Sequence, residues 1–455
     1  MLFMNVLRKF KAHVGEFWWY SLLVFLACRS GDVIQAFIGL WLVPAKVSPN
    51  ELGAVLPLQQ FASVVALPLC VLLAPLSRFL SIYAARGEYG KVKRLLQTAF
   101  GLAGLTVVVL FLVARFILPF FFERMRIAEG SLGMLVLACG LFCNLTPVFT
   151  NALQGLKKFN AVACVNALGA PVRLVVMLLA MPFRALSGYM LGQVAPAFLT
   201  LIAACVSLRK ELGRGVKSMP FFREDGGKML RYMLPVAMGT IVATLCGSWE
   251  AILVRQRLPE VESAAWYMIS RLADIGTYVG ISLMFVVFPM AAEAEAKGTE
   301  SKWLLAKLLG GTFGAGVFFT LLYLIAGRFI LSAVPLWRTY AGYSSELVVL
   351  TMRQTLFTTM AAFGTYEGAS GRFRFLWYTL PLTVIEAGVL GMSTGYGLFE
   401  SYSPAFASWL KSLDAAHIGF FLWWMTAMVF LQLICMMIHL CLRRCCTSQS
   451  NAGVA

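Results

Sequence analysis

The residues that could do chemistry in this chain are ionisable side chains set inside long apolar runs. They are Arg29 and Asp32, then Arg173, then Glu250, then Arg271 and Asp274, and finally Arg353 and Glu386, with Glu367 at the end of a further run. A charge at the centre of a bilayer costs roughly 2.5–3.5 kcal/mol even on the mild insertion scale, so such a group normally faces a bundle interior or a wet cavity. Arg29 and Asp32 are spaced i, i+3, which places them on one helix face, and Arg271 and Asp274 repeat that spacing. An arginine offers a rigid fork of donors that matches phosphate oxygens. It is equally the natural partner of an aspartate one turn away, so each pair reads as an anion site or as a structural ion pair. Asp32, Glu250 and Asp274 read either as carriers of H⁺ or Na⁺ or as charge balance for the arginines. Arg353 and Glu386 read as a buried structural pair. Arg173 follows Pro171 and could face a cavity or cap the proline kink.

No metal or nucleophile constellation competes with these groups. Seven of the 11 cysteines lie inside apolar runs, where cysteine behaves as a small hydrophobe, and the remaining four, Cys435 to Cys446, lack a zinc-type spacing. His13, His417 and His439 all lie outside the centres of the apolar runs, which argues against a histidine proton relay. No phosphate-binding loop is present, so ATP-driven transport by this chain alone is not expected. The side chains thus offer no catalytic residue, no metal site and no cofactor, apart from Na⁺ or H⁺ coupling.

The elements that must position these groups follow from composition. Of 455 residues, 60% are apolar and 13% charged, with a mean hydropathy of +0.79. That charged fraction is about half the soluble norm of roughly 25%. It excludes a cytosolic enzyme, a disordered chain and a secreted disulfide scaffold. A spanning helix needs roughly 20 mostly apolar residues. Twelve stretches qualify: 17–43, 55–77, 95–114, 132–154, 161–182, 186–207, 232–254, 264–289, 308–327, 347–366, 375–398 and 419–442. The fold class expected is an all-α polytopic membrane protein.

The net charge of +17 is distributed as an orientation signal, not as a nucleic-acid footprint. Alternate loops hold 24 and 10 of the 38 basic residues, and the remaining four are the arginines inside spans. That asymmetry places both termini in the cytoplasm. Arg78 closes the second span, with Arg86, Lys91, Lys93 and Arg94 following; the cluster could gather anionic lipid headgroups or serve as an ordinary positive-inside anchor. Residues 1–16 read as an interfacial amphipathic segment, 17–207 as a first six-helix bundle, 208–231 as a cytoplasmic linker, 232–442 as a second six-helix bundle, and 443–455 as a cytoplasmic tail.

Four strings in order along the chain resemble the polysaccharide and oligosaccharide-lipid flippases of the MOP superfamily, the O-antigen type included. Asn151-Ala152-Leu153-Gln154-Gly155-Leu156-Lys157-Lys158-Phe159 closes the fourth span; Trp266-Tyr267 leads to Arg271-Leu272-Ala273; Phe288-Pro289-Met290-Ala291-Ala292-Glu293 ends the eighth span; and Gly368 through Phe373 forms the tenth-to-eleventh turn. The resemblance implies two six-helix bundles in a V around a central cavity lined by spans one, two, seven and eight, working by alternating access. It implies a bacterial inner-membrane flippase for an isoprenoid-pyrophosphate-linked oligosaccharide of the lipopolysaccharide kind. Arg29, Arg271, Arg173 and Arg78 would then be the substrate-binding cations, and a glycan polymerase or glycosyltransferases would be partners beside the membrane lipids. The alternatives are a Na⁺- or H⁺-coupled multidrug exporter of the same superfamily, a flippase for a lipid-linked peptidoglycan precursor, and a membrane-embedded glycan polymerase. The longest outer stretch, 399–418, holds only Glu400, Lys411, Asp414 and His417 beside Tyr402, which argues against the polymerase.

Overall fold

The computed structural model describes residues 30–65, 67–127, 132–156, 158–212, 222–296, 302–369, 373–394 and 422–438. The expectations for the amphipathic N-terminus, Arg29, the outer stretch 399–418 and the C-terminal tail lie outside these residues. Every regular element among the described residues is helical. The first helix (α1) covers 30–46 and contains a π-helical turn at Ile38–Leu42. Then follow α2 (Pro49–Val65), α3 (Leu67–Cys70), α4 (Leu73–Ala85), α5 (Tyr89–Met125), α6 (Leu132–Gly155), α7 (Phe159–Ala180) and α8 (Ala185–Leu212). After the linker come α9 (Phe222–Arg257), α10 (Glu260–Ala296), α11 (Lys302–Ala333), a 3₁₀ turn (Arg338–Tyr343), α12 (Ser344–Ala369), α13 (Leu376–Thr394) and α14 (Leu422–Ile438).

Helices overlap every expected span, and seven helical stretches among the described residues are long and apolar enough to cross a bilayer. The chain is a multi-pass membrane protein. Large apolar side chains such as Phe116, Ile325 and Trp377 are exposed, which is the pattern expected where lipid rather than water meets the surface. Helix ends follow local chemistry. At Gly87, φ is +73°, and this left-handed step ends α4 with the Glu88 N–H donating to the Tyr83 carbonyl at 2.9 Å. Prolines Pro57, Pro119, Pro147, Pro171, Pro196, Pro235 and Pro381 sit inside helices without ending them. Helical packing and threonine back-bonding make that tolerable in a membrane; Thr146 donates to the Phe142 carbonyl at 2.8 Å and the Ala197 carbonyl at 3.0 Å.

By packing, the chain divides into two compact units, 1–48 with 61–240, and 49–60 with 241–455. The boundary therefore falls within α9, beyond the linker at 208–231, and the first part of α2 packs with the second unit. The physical reason is contact, which a loop's charge does not report: Gly53 lies so close to Ser263 that an added Cβ would stand 2.5 Å from the serine Cβ.

The first unit has a leucine-rich core between α4, α5, α6 and α8, built on Leu76, Leu80, Leu95, Leu96, Leu153 and Leu208. Phe100 and Phe149 stack there at 4.1 Å between ring centroids. In the second unit, α10, α11 and α12 close on one another through small residues. Gly316 of α11 abuts Thr355 of α12, and Gly280 of α10 abuts Thr312 and Thr358. Of the glycine run at 310–316, Gly316 and Gly311 meet neighbours while Gly310 and Gly314 face open space.

Candidate functional site

In the first unit the polar interior is built around Arg173 of α7. Gly31 of α1 lies against Ala170, and the close approach brings the next turn of α1, at Gln35, onto the next turn of α7, at Arg173. Arg173 Nη1 donates to Gln35 Oε1 at 2.5 Å, and Arg173 Nε is buried without a hydrogen-bond partner. Among the described residues this guanidinium therefore has a neutral amide partner and no carboxylate within ion-pair distance. Asp32 stands one turn before Gln35 on α1, half-buried, and the helix widens into its π turn directly afterwards. On the neighbouring helices, Cys143 Sγ of α6 donates to the Gln193 carbonyl of α8 at 3.4 Å, and the Gln193 amide nitrogen is buried without an acceptor. Arg173 and Gln193 thus both present donors that lack acceptors.

At the expected cytoplasmic edge of this unit, Arg78 is already engaged. Its guanidinium lies 4.4 Å from the centroid of the Tyr232 ring, so α4 and the first part of α9 are joined by a cation–π contact. Beside it the Tyr83 hydroxyl donates to Asp225 at 3.0 Å, and Lys228 pairs with the same carboxylate at 3.2 Å. The Tyr83 hydrogen bond, seconded by Lys228, holds the Asp225 carboxyl below the usual aspartate range.

The second unit holds ion pairs of its own. Arg271 and Asp274 of α10 pair at 3.3 Å across one helical turn, and Arg271 stacks 5.7 Å from the Tyr267 ring centroid. Tyr323 of α11 donates to the Leu272 carbonyl at 2.9 Å and fixes that turn. Arg353 of α12 is 1% exposed, and its ion pair is with Glu250 of α9. The expected Arg353–Glu386 pair is thus corrected: Glu250 takes the Arg353 fork because α9, not α13, brings its carboxylate into contact. Glu386 of α13 keeps one oxygen without a partner. Glu250 and Asp274 are each ion-paired with an arginine. Between α10, α11 and α12 lies a cavity of about 10 Å³ lined by Thr277, Thr312, Thr351, Thr355 and Thr358, room for a single water and not for a substrate.

Sequence reasoning missed the neutral polar residues beside Arg173: Gln35 and Gln193. The available signal was their polarity inside apolar runs, which the search for full charges passed over.

No protein-family model matches the sequence, and no curated protein sequence matches it. Solved structures do. An inward-facing multidrug resistance MATE family transporter of the MOP superfamily superimposes with a TM-score of 0.64 over 95% of this chain and 99% of that one, at 13% identity. The lipid II flippase MurJ in an inward closed conformation matches with a TM-score of 0.59 at 11% identity, over 92% and 87% of the two chains. The Vibrio cholerae MATE transporter VcmN matches with a TM-score of 0.59 at 12% identity, over 96% and 98%. The fold is that of the MOP-superfamily transporters. These neighbours are transporters and a flippase rather than bond-making enzymes. Of the intramembrane arginines among the described residues, Arg271 and Arg353 carry carboxylate partners while Arg173 carries a neutral one.

Proposed function

We propose that the chain is a flippase that moves an isoprenoid-pyrophosphate-linked oligosaccharide across a bacterial inner membrane by alternating access, with twelve spans and both termini in the cytoplasm. The observation that carries this reading is Arg173. A guanidinium within the membrane segment whose neighbour is the neutral Gln35, and whose Nε lacks an acceptor, is a site for an anion. A pyrophosphate entering the membrane must exchange water for such donors. In this reading Arg173 and Gln193 contribute donors to the headgroup, Arg29 lies three residues before Asp32 on the same expected span, and Arg271 offers a partly neutralised fork. Arg78 belongs to the α4–α9 junction and acts by holding that junction, near where the lipid headgroup enters. A glycan polymerase or glycosyltransferases would act before and after the transported step.

The test is translocation of labelled lipid-linked oligosaccharide by the protein in liposomes, with Arg173→Gln beside wild type. A hydrogen bond from a charged group contributes about 1.5–3 kcal/mol, so translocation should fall roughly tenfold to a hundredfold while the variant elutes as a folded monodisperse species. Wild-type protein that leaves the labelled lipid in place would sink the reading.

A second reading, a Na⁺- or H⁺-coupled multidrug exporter, is favoured by the MATE neighbours and by Asp32 on α1. It predicts drug hypersensitivity of a deletion strain with surface glycan intact. A lipid-linked peptidoglycan precursor shares the pyrophosphate chemistry, and the MurJ likeness makes it the control substrate in the liposome assay.

A further inference from the structure

The contact between α6 and α8 in the first unit holds two thiols that the transport reading does not use. Cys139 and Cys143 stand one turn apart on α6, and their sulfurs are 3.6 Å from each other. Cys139 is 4% exposed and Cys143 is half-buried. Cys143 Sγ also donates to the Gln193 carbonyl of α8 at 3.4 Å, and close by Thr146 donates to the Ala197 carbonyl at 3.0 Å. These bonds fix α6 against α8 at the turn that carries the sulfurs. Among the described residues, no other two cysteine sulfurs are in contact.

A buried cysteine by itself is an inert small hydrophobe. Two sulfurs at this separation are a chelate. Sulfurs bonded at about 2.3 Å to one tetrahedral centre stand about 3.8 Å apart, so this pair closes on such a centre with little motion. Two further observations select the centre. Among the described residues, no third His, Cys, Asp or Glu joins the pair to hold a metal ion. The centre must therefore be satisfied by two protein ligands. Both thiols also lie within a helix long and apolar enough to cross a bilayer, where a net charge is costly. A metal dication arrives charged and needs two more ligands. A trivalent organoarsenical meets both conditions: arsenic brings its own carbon substituent, takes two sulfurs, and is uncharged before and after.

We propose that Cys139 and Cys143 form a binding site for trivalent organoarsenicals. With an arsine oxide, R–As=O, the bonds from arsenic to oxygen break and two As–S bonds form. The two thiol protons leave with the oxygen as water. Arsenic stays trivalent, so nothing is oxidised or reduced, and no charge is left in the helix. The Gln193 carbonyl gives up the Cys143 S–H, which is a weak donor. The bond from Thr146 to the Ala197 carbonyl is untouched and keeps α6 on α8. The site does not rest on the flippase reading.

The experiment adds phenylarsine oxide to the full-length protein in detergent. Free reagent is removed, a monothiol wash follows, and the protein is digested with trypsin for mass spectrometry. Cleavage after Arg126 and Lys157 yields the peptide 127–157, whose two cysteines are Cys139 and Cys143. In wild type this peptide should carry one phenylarsenic group and no thiol that maleimide can label, and a small dithiol should restore both thiols. Cys139→Ser and Cys143→Ser should each abolish retention on the peptide, because the thiol left behind holds arsenic by one bond that the wash strips. A wild-type peptide without arsenic, or arsenic retained in either folded serine variant, overturns the proposal. Should the serine variants fail to fold, the wild-type peptide decides: arsenic with both thiols blocked upholds the site, and one or both thiols free overturns it. No transport enters the readout, so failure here leaves the flippase reading standing, and a failed liposome assay leaves the dithiol site standing.

Discussion

The Arg353–Glu250 pair offers the sharpest test of the structure. Arg353 is 1% exposed and Glu250 is 7% exposed, on helices separated by the whole of α10 and α11 in the chain. Removing one partner of a buried pair strands the other charge and costs about 3–5 kcal/mol. Here the cost of Glu250→Leu should fall at the lower end, near 3 kcal/mol. The Phe357 ring stands 6.0 Å from the Arg353 guanidinium and offers the stranded charge a cation–π contact. A loss of about 3 kcal/mol is roughly a hundredfold in the folded-to-unfolded ratio. The double variant Glu250→Leu with Arg353→Met removes both charges and fills the volume with apolar atoms, so it should unfold within about 1 kcal/mol of wild type. Equilibrium unfolding of purified protein in mixed detergent, run on both single variants and the double, closes the cycle. Two results refute the reasoning: an E250L variant within about 1 kcal/mol of wild type, or a double variant as unstable as the worse single.

Other expectations can be checked alongside. Gly316→Ala would place a Cβ 2.2 Å from Thr355 Cγ2; overpacking of this kind costs about 1–3 kcal/mol, and Thr355→Ala in the same chain should restore most of the loss on thermal unfolding. Tyr83→Phe removes the hydrogen bond that lowers the Asp225 carboxyl. A depressed carboxyl adds stability that is present above the unfolded value of about 3.9 and vanishes as pH falls through its lower folded value. The gap between wild type and Y83F should thus be a fraction of 1 kcal/mol at neutral pH, as surface contacts are, and should close in acid. Gln35→Ala should leave Arg173 in place but freer, so the half-saturating concentration of lipid-linked substrate should change by less than in Arg173→Gln; an equal effect would mean that Arg173 serves only to anchor α1.

Much of the helical layout was legible in the sequence because hydrophobic run length and bilayer thickness constrain each other. The expected stretch 132–154 and the observed Leu132–Gly155 differ by one residue. The outer reach of other helices was not legible. Residues Tyr89–Arg94 extend α5 well before its apolar run, since polar turns at an interface satisfy their backbone whether or not they are greasy.

The same contrast holds for the charges, and its cause is geometric. A pair such as Arg271–Asp274 is decided by the 3.6-residue repeat, so the sequence determined it: any helix through these residues brings them together. Whether Arg353 meets Glu250 or Glu386 depends on which helices become neighbours, and helical periodicity carries no information about that. Only the tertiary structure put α9 against α12, left Arg173 with an amide instead of an acid, and set Gln432 of α14 on Thr383 of α13.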